Sequence, residues 1–158
     1  MHGDVIYGAS SNVHVYRRCS HGWVDFDSFR AINGWKTLAV MNHQLLCCSS
    51  WEHKLAVYSL GGQLLRIYGT PGRGAAGHLY QPIVCHDVTD DDSVLIADRG
   101  NNRLQLMSDQ GEFLLLSLQP VALEPVAAAI FNNCCYVAKK NKTLTKYQLV
   151  KQKAGSFV

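Results

Sequence analysis

Apolar residues recur at every second position over short stretches of this chain, a pattern that predicts β-strands packed on at least one face. The clearest stretches are Val13-His14-Val15-Tyr16, Leu55-Ala56-Val57-Tyr58, Leu104-Gln105-Leu106-Met107 and Leu144-Thr145-Lys146-Tyr147, whose last residues lie 42, 49 and 40 positions apart. A second β-rich run precedes each of them: Val5-Ile6-Tyr7, Leu45-Leu46-Cys47-Cys48, Val94-Leu95-Ile96-Ala97 and Cys135-Tyr136-Val137-Ala138. Three of the units continue through a glycine into another apolar run, with Gly22 before Trp23, Gly61-Gly62 before Leu64 and Gly111 before Phe113. Glycine accepts the positive φ of a tight hairpin, so these read as antiparallel turns. One further strand candidate stands ahead of three units, at residues 37–41, 83–88 and 126–131. No stretch of about ten residues carries a helical period, which argues against α/β architectures.

Four short strands repeating every ~40 to 50 residues have the period of a propeller blade. The pattern predicts an all-β chain, a β-propeller of about 3.5 to 4 four-stranded blades. The approximate blades are residues 1–30, 35–69, 83–118 and 126–150, followed by a tail at 151–158, all in one domain. Propellers close with ~4 to 8 blades, so an incomplete ring is expected. It is read as a fragment of a larger propeller or as an arc completed by self-association with a second copy. A small closed ring is the third option. An open arc would leave strand edges unpaired in water.

One unit carries a family signature. Leu95-Ile96-Ala97-Asp98-Arg99-Gly100-Asn101-Asn102-Arg103-Leu104-Gln105-Leu106, followed by Asp109-Gln110-Gly111-Glu112-Phe113, resembles an NHL repeat with its Asp-x-Gly-Asn-x-Arg loop. The run Tyr68-Gly69-Thr70-Pro71-Gly72-Arg73-Gly74 into His78-Leu79-Tyr80-Gln81-Pro82 is similar to the connection between NHL blades. The likeness covers the middle third of the chain. The flanking units match in spacing only, with Ser49 and Ala138 where Asp98 stands and Lys54 and Thr143 where Arg103 stands. In the loop itself, Asp98 is expected to accept amide hydrogen bonds and pair with Arg103, Gly100 to supply a left-handed bend, and Asn101 or Asn102 to close an Asx turn. The resemblance implies a ring of about six blades, like the C-terminal NHL domain of tripartite-motif proteins. Some NHL domains there bind RNA and others proteins, often beside a RING and B-box that confer ubiquitin ligase activity. Some NHL-like propellers are metal-dependent lyases, which supplies an enzyme alternative.

Charge sharpens the functional expectation. Loops between second and third strands and connections between blades emerge on one propeller rim. On that rim fall Glu52, His53, Lys54, Asp98, Arg99, Arg103, Lys139, Lys140 and Lys142, together with Arg30, Lys36, Arg73, His78 and Glu124, so nine Lys or Arg oppose three acids. The other rim holds Asp90, Asp91, Asp92, Asp109 and Glu112, with Arg17 and Arg18 as exceptions. Trp35, Trp51 and Tyr80 interleave with the cations. Cations hold phosphates while aromatic faces stack bases, so single-stranded RNA is one expected ligand and a protein partner the other.

Composition removes other classes. With 47% hydrophobic and 17% charged residues over 158 positions and a net charge of +3, the chain suits one packed domain. No apolar run approaches the ~18 to 20 residues that cross a bilayer, and Met1-His2-Gly3-Asp4 lacks the start of a signal segment, so a cytoplasmic chain without membrane attachment is expected. Cys47-Cys48 and Cys134-Cys135 sit in strand-like runs and read as buried thiols. Asn141-Lys142-Thr143 is formally a glycosylation acceptor, with nothing else pointing to secretion. His86-Asp87 and Asp90-Asp91-Asp92 offer ligands on paper, but alternation sends the first two apart and the run occupies a turn. The histidines do not recur at one repeat position, and no Cys/His zinc spacing or nucleophile elbow is present. The expectation is a chain without cofactor, metal or enzyme activity.

Overall fold

The computed structural model describes residues 5–9, 12–31, 33, 36–88, 93–116 and 124–149. Within them, β1 (Val5–Ala9), β2 (Val13–Cys19) and β3 (Gly22–Phe29) pair in that order. A second sheet follows, made of β4 (Lys36–Met41), β5 (Gln44–Ser49), β6 (Lys54–Ser59) and β7 (Leu64–Tyr68). The connection after it carries a short parallel pair, β8 (Thr70–Pro71) and β9 (His78–Leu79). It leads into β10 (Pro82–Val88), β11 (Val94–Asp98), β12 (Arg103–Met107) and β13 (Phe113–Leu116), the third sheet. β14 (Pro125–Phe131), β15 (Cys134–Lys139) and β16 (Leu144–Gln148) form the fourth. Neighbouring strands in these four sheets run antiparallel and follow chain order, so each sheet is a meander.

Alternation explains how the sheets stack. In β5, Leu45 and Cys47 pack toward the first sheet with Val13, Ala31, Ala56 and Tyr58. Their neighbours Leu46 and Cys48 face the other way and join Leu55, Val57, Leu79, Val94, Ile96 and Met107. β11 repeats the arrangement: Val94 and Ile96 face the second sheet, while Leu95 and Ala97 meet Cys135, Val137 and Tyr147 of the fourth. A strand buried on both faces needs a continuous apolar run, which is what these segments have. Burying one Leu side chain contributes about 1.5–3 kcal/mol, and Leu45, Leu46, Leu55, Leu79, Leu95 and Leu104 are all fully buried. The first strands β4, β10 and β14 lie beside one another, which brings the loops that follow each second strand to one side. The paired cysteines are buried thiols, and the side chains of Cys47 and Cys48 enter different interfaces, as alternation requires.

Turn chemistry matches the residues present. β4 and β5 are joined through Asn42 and His43 with φ of 47° and 56°, and β14 and β15 through Asn132 and Asn133 with 49° and 56°. Two successive positive φ angles define the type I′ hairpin, and Asn tolerates them well. Between β12 and β13 the turn is closed by Ser108, whose N–H donates to the Glu112 carbonyl and whose carbonyl accepts from the Gly111 N–H, both at 2.9 Å. Gly111 has φ 83°, and a Cβ there would stand 2.1 Å from the Tyr68 ring of the preceding sheet.

Two details differ from the sequence reading. The first strands begin one residue earlier than expected, at Lys36, Pro82 and Pro125, and proline is acceptable as the first residue of a strand. The register of the fourth sheet also moves. Pro82 pairs with Asp98, and Pro125 pairs with Lys139, so Lys139 and not Ala138 stands where Asp98 does. The β15–β16 loop is one residue shorter than the β11–β12 loop, and spacing alone cannot place a one-residue deletion.

Candidate rim site

At the end of β11 the chain must turn from a buried strand into a surface loop, and Asp98 is the residue that makes the transition. Its side chain is fully buried. Oδ1 accepts from the Tyr80 N–H at 2.8 Å, and Oδ2 accepts from Asn101 Nδ2 at 2.8 Å, Arg103 Nε at 2.8 Å and Gln105 Nε2 at 2.9 Å. Those four bonds use the lone-pair capacity of a carboxylate, and they offset the cost of burying its charge.

The donors around Asp98 also hold the long connection between the second and third sheets. Arg103 donates to the carbonyls of Gly74, of Ala75 at 3.0 Å and of His78 at 2.7 Å. Asn101 reaches the Gly72 carbonyl at 3.0 Å. Gln105 donates to the His78 carbonyl and accepts from the Gly77 N–H, each at 2.9 Å. Gly100 does not supply the left-handed bend expected of it. That φ belongs to Asn102, at 53°. Glycine is required at position 100 because a Cβ would lie 2.1 Å from the Tyr80 ring and 2.7 Å from the Tyr80 carbonyl, which accepts the Gly100 N–H at 2.8 Å. The Asx turn is likewise replaced by the two side-chain bonds of Asn101.

Next to this loop lies a cleft of about 510 Å³ lined by Thr37, Ser50, Trp51, Gln81, Pro82, Ile83 and Arg99. It opens at the starts of β4 and β10 and between the two loops that follow β5 and β11. Trp51 is 78% exposed at its lip. Beside it, the Tyr80 ring packs against His53 at 4.6 Å between centroids, and the Arg73 guanidinium lies 5.0 Å from the Tyr80 ring centre. His53 Nδ1 accepts from the Gln81 N–H at 3.0 Å.

The structure therefore brings together Trp51, His53, Arg73, Tyr80 and Arg99 of the expected rim residues. Tyr80 is taken up by His53 and Arg73, which leaves Trp51, among the described residues, as the open aromatic face in the cleft. His78 turns inward, with Nδ1 bonded to the Arg73 carbonyl at 3.0 Å. Asp98 and Arg103 neutralise one another inside and add no charge to the rim. On the fourth sheet, Lys139 lies over Tyr147 at 5.7 Å, while Lys140 and Lys142 are exposed. Lys54 is half-buried at the start of β6 and Arg30 is exposed. Lys36 heads β4, but its side chain and the whole of Trp35 lie outside the described residues, as do Asp90, Asp91 and Asp92 and the side chains of His86 and Asp87. Sequence reasoning missed Gln105, Gln81 and Ser50. A polar residue inside the otherwise apolar β12 was a usable signal for Gln105.

Among the described residues no group of three His, Cys, Asp or Glu is placed to hold a metal ion, and no helix is long and apolar enough to cross a membrane.

No protein-family model and no curated protein matches the chain. Solved structures do. The fold is similar to a streptogramin B lyase at 14% identity and a TM-score of 0.57, over 97% of this chain and 56% of that one. It is similar to virginiamycin B lyase from Staphylococcus aureus at 15% identity and 0.55, over 97% and 58%. BamB from Moraxella catarrhalis gives 14% and 0.58, over 91% and 40%. The chain thus spans between 40% and 58% of the length of these proteins. Two of the three are lyases, which overturns the expectation that the chain is no enzyme: a search for familiar catalytic motifs is not a ground for excluding catalysis in this fold. At such low identity the likeness carries architecture and not activity, and what it establishes is that this chain has a β-propeller fold.

Proposed function

We propose that the chain is part of an NHL-type propeller of about six blades, to which it contributes about 3.5 to 4, and that its cation-bearing rim binds single-stranded RNA. Trp51 carries this reading. A tryptophan left 78% exposed forgoes most of its burial energy, and this one stands at the lip of a cleft shared with Arg99. Its ring offers a stacking face for a base, and the Arg99 guanidinium suits a phosphate or a second base plane. Arg30, Lys140 and Lys142 are exposed as well, and on this reading they extend the positive surface. The test is binding of short uridine-rich RNA at two salt concentrations. Affinity should fall steeply with salt and drop in Arg99→Glu and in Lys140→Glu. Affinity indifferent to both substitutions discards RNA as the ligand.

A protein partner is the second reading, favoured by the apolar side chains of Pro82 and Ile83 that line the cleft together with Trp51 and Arg99. Trp and Arg dominate protein-binding hot spots. On this reading the chain is the recognition part of a larger cytoplasmic protein resembling the tripartite-motif NHL group. A photo-crosslinking residue in place of Trp51 would then trap a protein and not RNA.

A further inference from the structure

Gln105 lies outside the Asp-x-Gly-Asn-x-Arg loop, and among the described residues it is the one fully buried polar side chain at the centre of a strand that reaches the connection between the second and third sheets. In β12 it is flanked by Leu104 and Leu106 and pairs with Ile96 on one side and Leu115 on the other. Alternation turns it toward the interface that also receives Met107, Val94 and Leu79. It is fully buried. A buried amide costs free energy unless its donors and acceptor are matched. Here all are: Nε2 donates to Asp98 Oδ2 and to the His78 carbonyl, and Oε1 accepts the Gly77 N–H, each at 2.9 Å.

We infer that Gln105 is a positioning residue of the rim, setting the connection so that Arg73 is held over Tyr80 at the edge of the cleft. The route is short. Gln105 fixes the backbone at Gly77 and His78. His78 in turn bonds the Arg73 carbonyl through Nδ1 at 3.0 Å, and two residues further on Tyr80 receives the Arg73 guanidinium at 5.0 Å. Asp98 and Arg103 keep their mutual ion pair whatever stands at position 105, and the His78 carbonyl keeps Arg103. Replacing Gln105 by Leu, of similar size, therefore strips the Gly77 N–H of its side-chain acceptor and removes one of the four bonds to Asp98, whose carboxylate keeps Tyr80, Asn101 and Arg103. The consequence falls on the connection and on Arg73.

The inference rests on the rim being a ligand-binding surface, so its test has one arm that needs no ligand. The whole chain is labelled with 3-fluorotyrosine, and the fluorine resonance of Tyr80, assigned with Tyr80→Phe, is followed in Arg73→Ala, Gln105→Leu and the double variant. Arg73→Ala should shift the resonance by removing the cation. Gln105→Leu should shift it the same way, and the double variant should add nothing more. The second arm measures affinity for uridine-rich RNA in the same set. Each single substitution should weaken binding about tenfold, and the double about tenfold as well, because contacting members of one network are not additive. Substitution effects that simply add in the fluorine arm overturn the positioning role, as does a Tyr80 resonance unmoved by Gln105→Leu. If no variant and not the parent binds RNA, the proposed ligand falls while the fluorine arm still decides on Gln105. Loss of folding in Gln105→Leu, seen as a vanished thermal transition, would shift both arms to Gln105→Met, which has the length of Gln and neither its donor nor its acceptor of comparable strength.

Discussion

The loops after β5 and β11 occupy one position in their sheets and solve it with different residues. Ser49 pairs with Lys54 across four loop residues, as Asp98 pairs with Arg103 across four. His53 and Asn102 hold the same left-handed place, at φ 57° and 53°. At the anchor, Asp98 receives four hydrogen bonds, while Ser49 donates one to the Asn33 carbonyl and accepts one from the Glu52 N–H at 3.0 Å. Glu52 adds one more from the surface, accepting the Asn33 N–H at 3.2 Å. The two central strands of each sheet are comparably buried, so the stack does not depend on the loop motif. What differs is the connection each loop holds. The one at Asp98 runs from Gly69 to Gln81 with a parallel pair inside it, and many of its carbonyls need partners.

The comparison predicts an ordered series of losses, measured by urea unfolding. Asp98→Ala removes one member of a buried ion pair and orphans three donors, and should cost about 3–5 kcal/mol. It should also expose the connection at residues 69–81 to protease before the sheets unfold. A loss no larger than that of Ser49→Ala would break the distinction between the two anchors. Gly100→Ala comes next, at about 1–3 kcal/mol, because the backbone must move away from Tyr80 to admit a methyl group. Unchanged stability would show that the connection yields freely above the loop. Ser49→Ala should cost about 1–2 kcal/mol, the worth of the two ordinary hydrogen bonds its hydroxyl makes.

The series also shows which parts of the molecule could be read from residue order. The strands were legible because their faces are apolar at a period of two, and Leu45-Leu46-Cys47-Cys48 announces burial on both sides. The Asp98–Arg103 pair was legible because its two members lie in one hairpin. Gly100 was named for the wrong reason, since what forbids a side chain there is Tyr80, twenty residues earlier and overhead only in the folded chain. Tyr80 itself was read as an open stacking face. Its contacts with His53 and Arg73 come from two different loops, and no spacing rule joins them. Position 139 was misplaced by one because a shortened loop shifts everything after it without leaving a mark in the pattern.

The smallest expected effect on stability bears most on function. Trp51 stands at the loop position that Gly100 fills in the third sheet. In one loop the connection closes over that position and leaves no room for a Cβ, and in the other the position stays open to the cleft. Nothing in the packing of the second sheet calls for an indole there, since the side chain is 78% exposed. Trp51→Ala should therefore change the unfolding free energy by no more than about 0.5 kcal/mol, while removing a stacking face worth about 1–3 kcal/mol of RNA binding. If the substitution instead destabilises the fold as much as Ser49→Ala does, the indole is a packing group and the two loops differ only in how they are filled. A large loss of affinity with stability intact would mean that one loop holds the propeller's long connection and the other, freed from that task, meets the ligand.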